Sequence, residues 1–407
     1  MGKQTRYSTS LYVSFPIPMF IGSLTSLTYL GLSNNRFSGA ISNQLTNLSK
    51  LNHLDLGYNI FDSSPIPKFI ATFTSLRYLG LSRSHFTGEI PHQLGNLSKL
   101  QHLDLGHSGV LEGGIFGWLF NLSSLTELDL SGIDIGTAND WVTLIQRLPL
   151  LSFLQLNSCK LTNSRSASFS TNMSSPISIL YLRQNFISSS IFGWLSNFSD
   201  SLVSLDLGKN QLRGEIPESF GRMTLISSLE LRENQLQGVV PNSFRNLSSL
   251  QYIDFSSNRL TGNLQDLLNV FAEDTLEVLK IRDNQITGSL PDLTQFSSLL
   301  DLDVASNKLN GYLPKRFEHN SVLFSLDLSY NSLTGSLPNF RGFSSLYDLY
   351  LNDNNFFGSL PDFTGCSSLY SLVLRGNQFT EWETQSIGQL ANLNLLDVSK
   401  NVIGTFE

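Results

Sequence analysis

Hydrophobic residues recur along this chain at fixed distances from a polar anchor residue. The stretch from Leu326 to Pro338 reads L-x-L-x-x-N-x-L-x-G-x-L-P, with Asn331 as its anchor. Apolar residues stand eight, five and three places before the anchor, and the last two alternate with polar positions. Such period-two alternation predicts a short β-strand whose leucines face inward. The same pattern is found at sixteen anchors, namely Asn35, Asn59, Ser84, Ser108, Ile133, Cys159, Asn185, Asn210, Asn234, Asn258, Asn284, Asn307, Asn331, Asn354, Asn377 and Asn401.

Successive anchors are 23 to 26 residues apart, and a period of this length with this internal pattern indicates a leucine-rich repeat array. The predicted fold class is α/β, a right-handed leucine-rich repeat solenoid with a concave parallel β-sheet and short helical or 3-10 segments on its convex side. Each anchor Asn can donate and accept hydrogen bonds, so it is expected to satisfy backbone groups between neighbouring turns. Ser84, Ser108 and Ile133 replace Asn, and this ladder is predicted to be weakest there.

Many anchors are followed by the element L-x-G-x-(I/L)-P. Its Gly predicts a bend, and its Pro ends a short second strand. The rest of each repeat is expected to return over the convex side as a helical turn. The element is missing between residues 106 and 176, where longer convex-side connections are predicted. It is clear at residues 86–91, 212–217, 236–241, 286–291, 309–314, 333–338 and 356–361.

The repeats predict one domain, residues 1–407, of about 16 repeats. Residues 1–25 read as a partial first repeat, and the pattern stops within a repeat after Asn401. Neither end shows the polar terminal repeat that caps a solenoid, so the array is predicted to be truncated at both ends. The first residues lack the apolar run of a signal peptide, and no run of 18 apolar residues predicts a membrane span.

Composition narrows the classes of partner. Charged residues make up 14% of the chain, against roughly 25% in average soluble proteins. The net charge of −7 argues against a nucleic-acid partner, because no basic stripe is available to neutralise phosphates. The two cysteines, Cys159 and Cys366, lie about eight strands or roughly 40 Å apart, which excludes a disulfide between them.

No residue pattern predicts catalysis, a cofactor or a metal site. His53 and His102 share a position two repeats apart, and His107 lies at another strand end, so no metal-binding cluster is expected. An Asp recurs once per strand, which separates the carboxylates and assigns them to the repeat itself. These residues are Asp55, Asp104, Asp129, Asp206, Asp254, Asp303, Asp327 and Asp397. We therefore predict that the chain is not an enzyme.

The phrases at residues 21–27, 95–105 and 214–220 resemble the plant-specific class of leucine-rich repeats, and in particular plant receptor-like proteins, which are relatives of leucine-rich repeat receptor-like kinases. The resemblance implies an extracellular ligand-recognition domain at the plasma membrane, in immune or developmental signalling. It implies a peptide, protein or glycan ligand on the concave face and a co-receptor kinase as partner. One alternative is a secreted inhibitor of a microbial cell-wall hydrolase, which resembles a shorter, capped array. Another is an intracellular scaffold, which predicts no glycosylation.

Six N-x-S/T sequons are predicted N-glycosylation sites. Each lies 12 or 13 places before the next anchor, so glycans would line one flank and leave the strands free. The alternative is that N-L-S is simply a suitable sequence for the returning segment. The sequons are at Asn47, Asn96, Asn121, Asn172, Asn197 and Asn246.

Arg and Tyr, the types enriched at binding hot spots, cluster at outward strand positions. Arg232 and Arg282, two repeats apart, would be separated by roughly 10 Å, which favours an extended peptide with acidic groups. The alternative is surface ion pairing of Arg232 with Glu230 or Glu233, and of Arg282 with Asp283, which contributes little. The predicted ligand-binding residues are Tyr181, Arg183, Glu230, Arg232, Lys280, Arg282, Tyr347, Tyr350, Tyr370 and Arg375.

Overall fold

A computed structural model of the chain describes residues 14–61, 64–112, 116–136, 141–142, 147–162, 176–314, 322–381 and 387–404. The backbone contacts divide the chain into two units. The N-terminal unit is Met1–Ser166 with Ser174–Pro176, and the C-terminal unit is Ile177–Glu407 with Ala167–Met173. We describe each unit by itself, and a single array over residues 1–407 stays a prediction.

The N-terminal unit contains a sheet of short parallel strands, one per repeat. Each strand has a leucine at its centre, and these leucines are aligned in register, as in the pairing of Leu54 with Leu79. The strands are Tyr29–Gly31, His53–Asp55, Tyr78–Gly80, His102–Asp104, Glu127–Asp129 and Phe153–Gln155. The returning segments form the 3-10 helices Met19–Ser23, Asn43–Asn47, Lys68–Thr72, His92–Asn96 and Phe116–Asn121.

The C-terminal unit repeats the same arrangement. Its parallel strands are Ile179–Tyr181, Ser204–Asp206, Ser228–Glu230, Tyr252–Asp254, Val278–Lys280, Asp301–Asp303, Ser325–Asp327, Asp348–Tyr350, Ser371–Val373 and Leu395–Asp397. Its helices are the α-helices Ile191–Leu195 and Leu264–Leu268 and the 3-10 helices Ser196–Phe198, Glu218–Arg222 and Asn242–Asn246. The prediction of strands at the L-x-L positions is confirmed. The prediction of helical turns behind them is confirmed between Ile191 and Leu268, whereas residues 289–300 and 336–347 return through turns without a helix.

Second strands form at all seven predicted Gly-Pro elements, and within the described residues three more form where no such element was predicted, at Gly109–Glu112, Arg259–Leu260 and Gln378–Glu381. The second strands are Phe86–Glu89 and Gly109–Glu112 in the N-terminal unit, and Arg213–Glu215, Gln235–Gly238, Arg259–Leu260, Thr287–Gly288, Lys308–Gly311, Ser332–Gly335, Asn355–Ser359 and Gln378–Glu381 in the C-terminal unit. Gly109–Glu112 corrects the prediction of an irregular connection there. Val110 is exposed and Leu111 is buried, so the segment alternates as a strand does and pairs with Phe86–Glu89. The remainder of the predicted irregular region lies partly outside the described residues.

The hydrophobic core runs behind the strands. The central leucine of nearly every strand is buried, for example Leu229 and Leu302 at 0% exposure, and each such leucine stabilises the fold by about 2 kcal/mol. Phenylalanines from the returning segments, such as Phe220 and Phe244, fill the other side. The residues flanking each central leucine are therefore held facing away from the core.

The anchor asparagines form the predicted ladder. Nδ2 of Asn284 donates to the carbonyl oxygens of Ile281 in its own repeat and Phe255 in the preceding repeat, both at 3.0 Å. Its Oδ1 accepts the backbone N–H of Leu260 at 2.9 Å. One side chain thus satisfies donors and acceptors of two neighbouring turns. The arrangement recurs at Asn210, Asn234, Asn258, Asn307, Asn331, Asn354, Asn377 and Asn401.

The ladder changes where Asn is replaced. Oγ of Ser108 still donates to the carbonyl oxygens of Leu81 and Leu105, both at 2.7 Å, but the backbone oxygen of Ser108 now accepts the N–H of Phe86. The peptide turns to do so, and the next residue, Gly109, has a φ of 132°. A Cβ on Gly109 would lie 2.1 Å from the Phe86 oxygen, so glycine is required there. Serine therefore provides fewer side-chain bonds, as predicted.

Two other anchor positions hold Cys159, with a thiol, and Ile133, with an alkyl group, in place of Asn. Sγ of Cys159 donates to the Leu130 oxygen at 3.2 Å, while Ile133 is buried and has no polar side-chain group to offer. Burial raises the pKa of the Cys159 and Cys366 thiols to about 12, and the two cysteines form no disulfide with each other, as predicted. Among the described residues, no helix combines the length and apolar character needed to cross a membrane.

Candidate functional site

The outward side of the strands is the broadest surface whose side chains take no part in the core. Each repeat contributes the residues six, four and two places before its anchor. We call these residues the N-terminal face for anchors Asn35 to Cys159, and the C-terminal face for anchors Asn185 to Asn401. Each face is considered within its own unit.

The recurring Asp, four places before the anchor, has a structural role in both faces. Oδ1 of Asp303, for example, accepts the backbone N–H of Ala305 at 3.0 Å and so closes the turn that follows the strand. The other seven predicted Asp residues make the same bond, which confirms their assignment to the repeat. The second oxygen of each carboxylate is left to interact across the face.

In the C-terminal face the predicted arginines contact these carboxylates. Nη2 of Arg232 lies 3.2 Å from Oε2 of Glu230, and its Nη1 lies 3.5 Å from Oδ2 of Asp254. The alternative of ion pairing between Arg232 and Glu230 is thus confirmed, whereas Glu233 pairs with Lys209 at 3.0 Å.

Two further cations of this face are also paired. Nη1 of Arg282 lies 3.2 Å from Oδ2 of Asp327, two repeats away, so its suggested pairing with Asp283 is wrong. Nζ of Lys280 lies 2.9 Å from Oδ2 of Asp301 in the next repeat. A carboxylate ligand would therefore compete with acidic groups that already hold these cations.

The acidic groups of this face are crowded. Burial, followed by the nearby Asp327 carboxylate, raises the pKa of Asp303 to about 6. Burial and then Asp206 raise the pKa of Glu230. Burial, with a smaller contribution from Asp254, raises the pKa of Asp206 and outweighs the hydrogen bond from Gly208 and the neighbouring arginines. The face is thus a network of mutually dependent charges rather than an excess of positive charge.

The predicted tyrosines fall into two groups. Tyr347 and Tyr370 lie seven places before their anchors and stack with ring centroids 4.8 Å apart, and Phe324 continues the stack at 5.0 Å. Tyr350 donates to Oδ1 of Asp348 at 3.4 Å. Tyr181, from a separate repeat, accepts a hydrogen bond from Oγ of Ser204 at 3.2 Å.

The two outlying arginines also lie beside acidic residues. The Arg183 charge opposes the rise in the pKa of Asp206. Arg375 helps to lower the pKa of Asp397, after the hydrogen bonds from Ser399. The predicted residues thus form a central charged group around Arg232 and Arg282, with an aromatic group near Tyr347 and further contributions at Tyr181 and Arg183.

The N-terminal face contains an arrangement that the sequence analysis missed. The rings of Tyr29, His53, Tyr78 and His102 stack one on the next, with centroids 4.0, 4.1 and 4.4 Å apart and planes within 16° of parallel. The signal was present in the sequence, because the strands alternate as Y-L-G, H-L-D, Y-L-G and H-L-D. Each tyrosine lies over the glycine two residues on, and a Cβ on Gly80 would meet the Tyr78 ring at 3.0 Å.

The electrostatics of this stack are set by burial and carboxylates. Burial, then the Asp55 and Asp104 carboxylates, raise the pKa of Tyr78 to about 12. Burial lowers the pKa of His53, although Asp55 opposes the change. Nδ1 of His102 lies 2.6 Å from Oε2 of Glu127.

The described sequons differ in accessibility. Asn47, Asn96, Asn121 and Asn246 are exposed, and each is the last residue of its 3-10 helix. At Asn197, by contrast, Nδ2 is buried without a hydrogen-bond partner, so the structure disfavours a glycan there. Asn172 lies outside the described residues.

Comparisons with known proteins agree with this geometry. A family model described as "Leucine rich repeat" matches residues 200–260, and a second of the same description matches residues 26–48, 75–97 and 323–342. The matched segments lie in both units, and the strands and helical turns of each unit have the leucine-rich repeat fold predicted from the sequence. The chain resembles plant receptor-like proteins, as the repeat phrases predicted. Receptor-like protein EIX1 of Solanum lycopersicum is 38% identical over 304 residues, which are 72% of this chain and 24% of that protein.

Solved ectodomains share the fold. The ectodomain of the Arabidopsis thaliana receptor kinase GASSHO1/SCHENGEN3, in complex with CASPARIAN STRIP INTEGRITY FACTOR 2, is 31% identical with a TM-score of 0.75, over 96% of this chain and 46% of that one. The Arabidopsis receptor kinase HAESA, in complex with the peptide hormone IDA and the co-receptor SERK1, is 25% identical with a TM-score of 0.68, over 96% and 68%. The chain spans only 18 to 24% of the length of the curated relatives it matches.

Proposed function

We propose that this chain is an extracellular ligand-recognition domain of a plant cell-surface receptor-like protein, acting in immune or developmental signalling. Its ligand would be a peptide, protein segment or glycan, and a co-receptor kinase would be its signalling partner. The role is recognition, not catalysis. The observation that carries the proposal is the outward strand face, a long surface of polar and aromatic side chains that are excluded from the core.

The C-terminal face offers the contacts for such a ligand. The Arg232 and Arg282 side chains are 28% and 43% exposed, so a ligand carboxylate can reach both guanidinium groups, where it would compete with Glu230 and Asp327. The stacked Tyr347 and Tyr370 add rigid aromatic area at low cost in conformational entropy. We propose all ten predicted residues as contacts, from Tyr181 to Arg375. Support comes from HAESA, whose solved complex contains the peptide hormone IDA, and from GASSHO1/SCHENGEN3, solved in complex with CASPARIAN STRIP INTEGRITY FACTOR 2.

The sequons support an extracellular location for the whole protein. Asn47, Asn96, Asn121 and Asn246 end 3-10 helices behind the strands, so glycans there would leave both faces uncovered. We propose that these four carry N-linked glycans.

Peptide-display selection against the chain secreted from plant cells would test the proposal. Selected peptides are expected to lose about tenfold or more in affinity with the double variant Arg232→Ala and Arg282→Ala. Arg222→Ala, in the 3-10 helix Glu218–Arg222, is the matched control and should leave affinity unchanged. Peptides that respond only to the control variant, or a chain that selects no peptide, would overturn the assignment of the face.

A further inference from the structure

The aromatic stack of the N-terminal face is a ridge that presents ring edges. The faces of His53 and Tyr78 are covered by their stacking neighbours at 4.1 and 4.4 Å. A ligand therefore meets tyrosine hydroxyls and histidine nitrogens rather than open ring faces. These groups can accept hydrogen bonds from a cationic donor, whereas a sugar that needs a ring face to stack on would find in this ridge only the outer faces of its two end rings, Tyr29 and His102.

Carboxylates lie beside this ridge, and glycines make room for them. Oδ1 of Asp55 would be 2.9 Å from a Cβ on Gly80, and Oδ2 of Asp129 would be 2.7 Å from a Cβ on Gly106. A longer side chain at either glycine would displace the carboxylate of the neighbouring repeat. The aromatic ridge and the carboxylates therefore form one continuous surface, and the backbone of the glycines lies between them.

These carboxylates lack cationic partners of their own. The outward positions before anchors Asn35 to Cys159 contain no Lys or Arg. In the part of the chain that the structure describes, Asp55, Asp104 and Asp129 form no ion pair with Lys or Arg. Arg83, from the same repeats, lies over the Tyr58 ring, 5.7 Å from its centroid. The surface has acceptor groups and negative charge, and the complementary donors are missing.

We propose that the N-terminal face binds an extended peptide segment carrying two Lys or Arg side chains about three residues apart. The spacing follows from the sheet, because Asp55 and Asp104 stand two strands or about 10 Å apart. In an extended polyproline II segment, side chains three residues apart lie on the same side at about 9 Å. Each cation would lie against one carboxylate and the adjoining ring edges of the ridge. This inference rests on the proposed recognition function and assigns the chemistry of a ligand segment.

Calorimetry with the whole secreted chain and a synthetic probe tests the proposal. The probe is a capped twelve-residue Gly/Ser peptide with two Arg residues three positions apart, and its counterpart has Glu at both positions. The double variant Asp55→Asn and Asp104→Asn removes both charges, while each Asn retains an oxygen for the N–H of Gly57 or Gly106. We expect the Arg peptide to bind about tenfold more weakly to this variant and the Glu peptide not to bind. Binding should also weaken as salt is raised.

The matched control is Asp206→Asn with Asp303→Asn, the same position in the C-terminal face, where affinity for the Arg peptide should stay within about twofold. Tyr78→Ala interrupts the ridge, and it should weaken binding even though all carboxylates remain. Equal losses in both Asp→Asn pairs, or binding of the Glu peptide, would overturn the proposal. Failure of the Arg peptide to bind, while display-selected peptides still bind, would also overturn this proposal, but it would leave the proposed function intact. A chain that binds no peptide of any kind fails the broader proposal.

Discussion

The two faces share the same backbone geometry, but their carboxylates have different neighbours. In both, an Asp four places before the anchor accepts a backbone N–H, so the carboxylate is placed by the turn itself. The C-terminal face adds cations such as Arg232 and Arg282, which pair with these acids. The N-terminal face places Gly or Ser at most of the corresponding positions and stacks aromatic rings beside the acids.

This difference shows how a repeat separates stability from recognition. The leucines and the anchor serve the fold in nearly every repeat, and the Asp does so in eight of the sixteen, so they carry little information about a ligand. The positions two and six places before the anchor have no such duty. Their side chains decide whether the fixed carboxylates are neutralised within the protein or remain available to a partner.

The largest expected effect is the loss of stability when an anchor residue of either unit is replaced by Ala. Asn284→Ala leaves the Leu260 N–H and the Phe255 oxygen without their partner and should lower the free energy of unfolding by about 3 kcal/mol. Ser108→Ala removes two donated bonds and should cost about 1–2 kcal/mol. Urea midpoints measure both, with the exposed Asn394→Ala as control. Equal losses would mean that the Ser anchors are no weaker than the Asn anchors.

The second prediction concerns the crowded acids of the C-terminal face. The folded-state pKa of Asp303 is raised to about 6 from an ordinary value of 3.8, so the folded state holds this proton more tightly. Stability should fall as pH rises from about 4 to about 6. Asp303→Asn retains the acceptor for Ala305 and should stabilise the protein by about 1 kcal/mol above pH 6, after allowance for solvent screening. Thermal melts at pH 4.5 and 7.5 measure the change.

Asp397 provides the opposite case for the same experiment. Hydrogen bonds from Ser399 lower its pKa, so it contributes stability above its ordinary pKa and loses that contribution as pH falls. Asp397→Asn should therefore not stabilise the protein at pH 7.5. A gain at both positions would argue against burial and crowding as the cause at Asp303.

A third prediction introduces into the N-terminal face the pairing of an Arg with neighbouring carboxylates that is found in the C-terminal face. Ser82 stands two places before its anchor, as Arg232 does, so Ser82→Arg should pair with the neighbouring carboxylates of the N-terminal face. Affinity for the Arg peptide should fall about fivefold, with a change in stability within about 0.5 kcal/mol. Ser82→Gln is the neutral control of similar length. Retained affinity in Ser82→Arg would show that the acids are not the binding groups.

The smallest expected effect concerns the glycans behind the faces. Peptide mass spectrometry of the chain secreted from plant cells should find Asn96 and Asn246 occupied and Asn197 unoccupied, because only the last has a buried Nδ2. Enzymatic removal of the glycans should leave Arg-peptide affinity unchanged, since they lie away from the strands. Unmodified asparagines throughout would contradict the extracellular assignment.

The sequence by itself determined everything that is periodic and local. The spacing of Leu, Asn, Gly and Pro predicted the strands, the anchor ladder and the turn role of Asp, because each depends on groups that return to the same place in every repeat. The second strands Gly109–Glu112, Arg259–Leu260 and Gln378–Glu381 were missed, since they lack the Pro that marks the other second strands. The Y-L-G and H-L-D alternation was visible, but only alignment of the strands showed that the rings stack.

Only the tertiary structure decided which charges meet. Arg282 reaches Asp327 two repeats away instead of its neighbour Asp283, because its long side chain can span the intervening strand and the crowded acids there attract it. The buried Nδ2 of Asn197 likewise depends on packing around its helix rather than on the sequon. A long side chain can pair with any of several acidic groups near it in the folded protein. The sequence pattern does not show which of these groups it contacts.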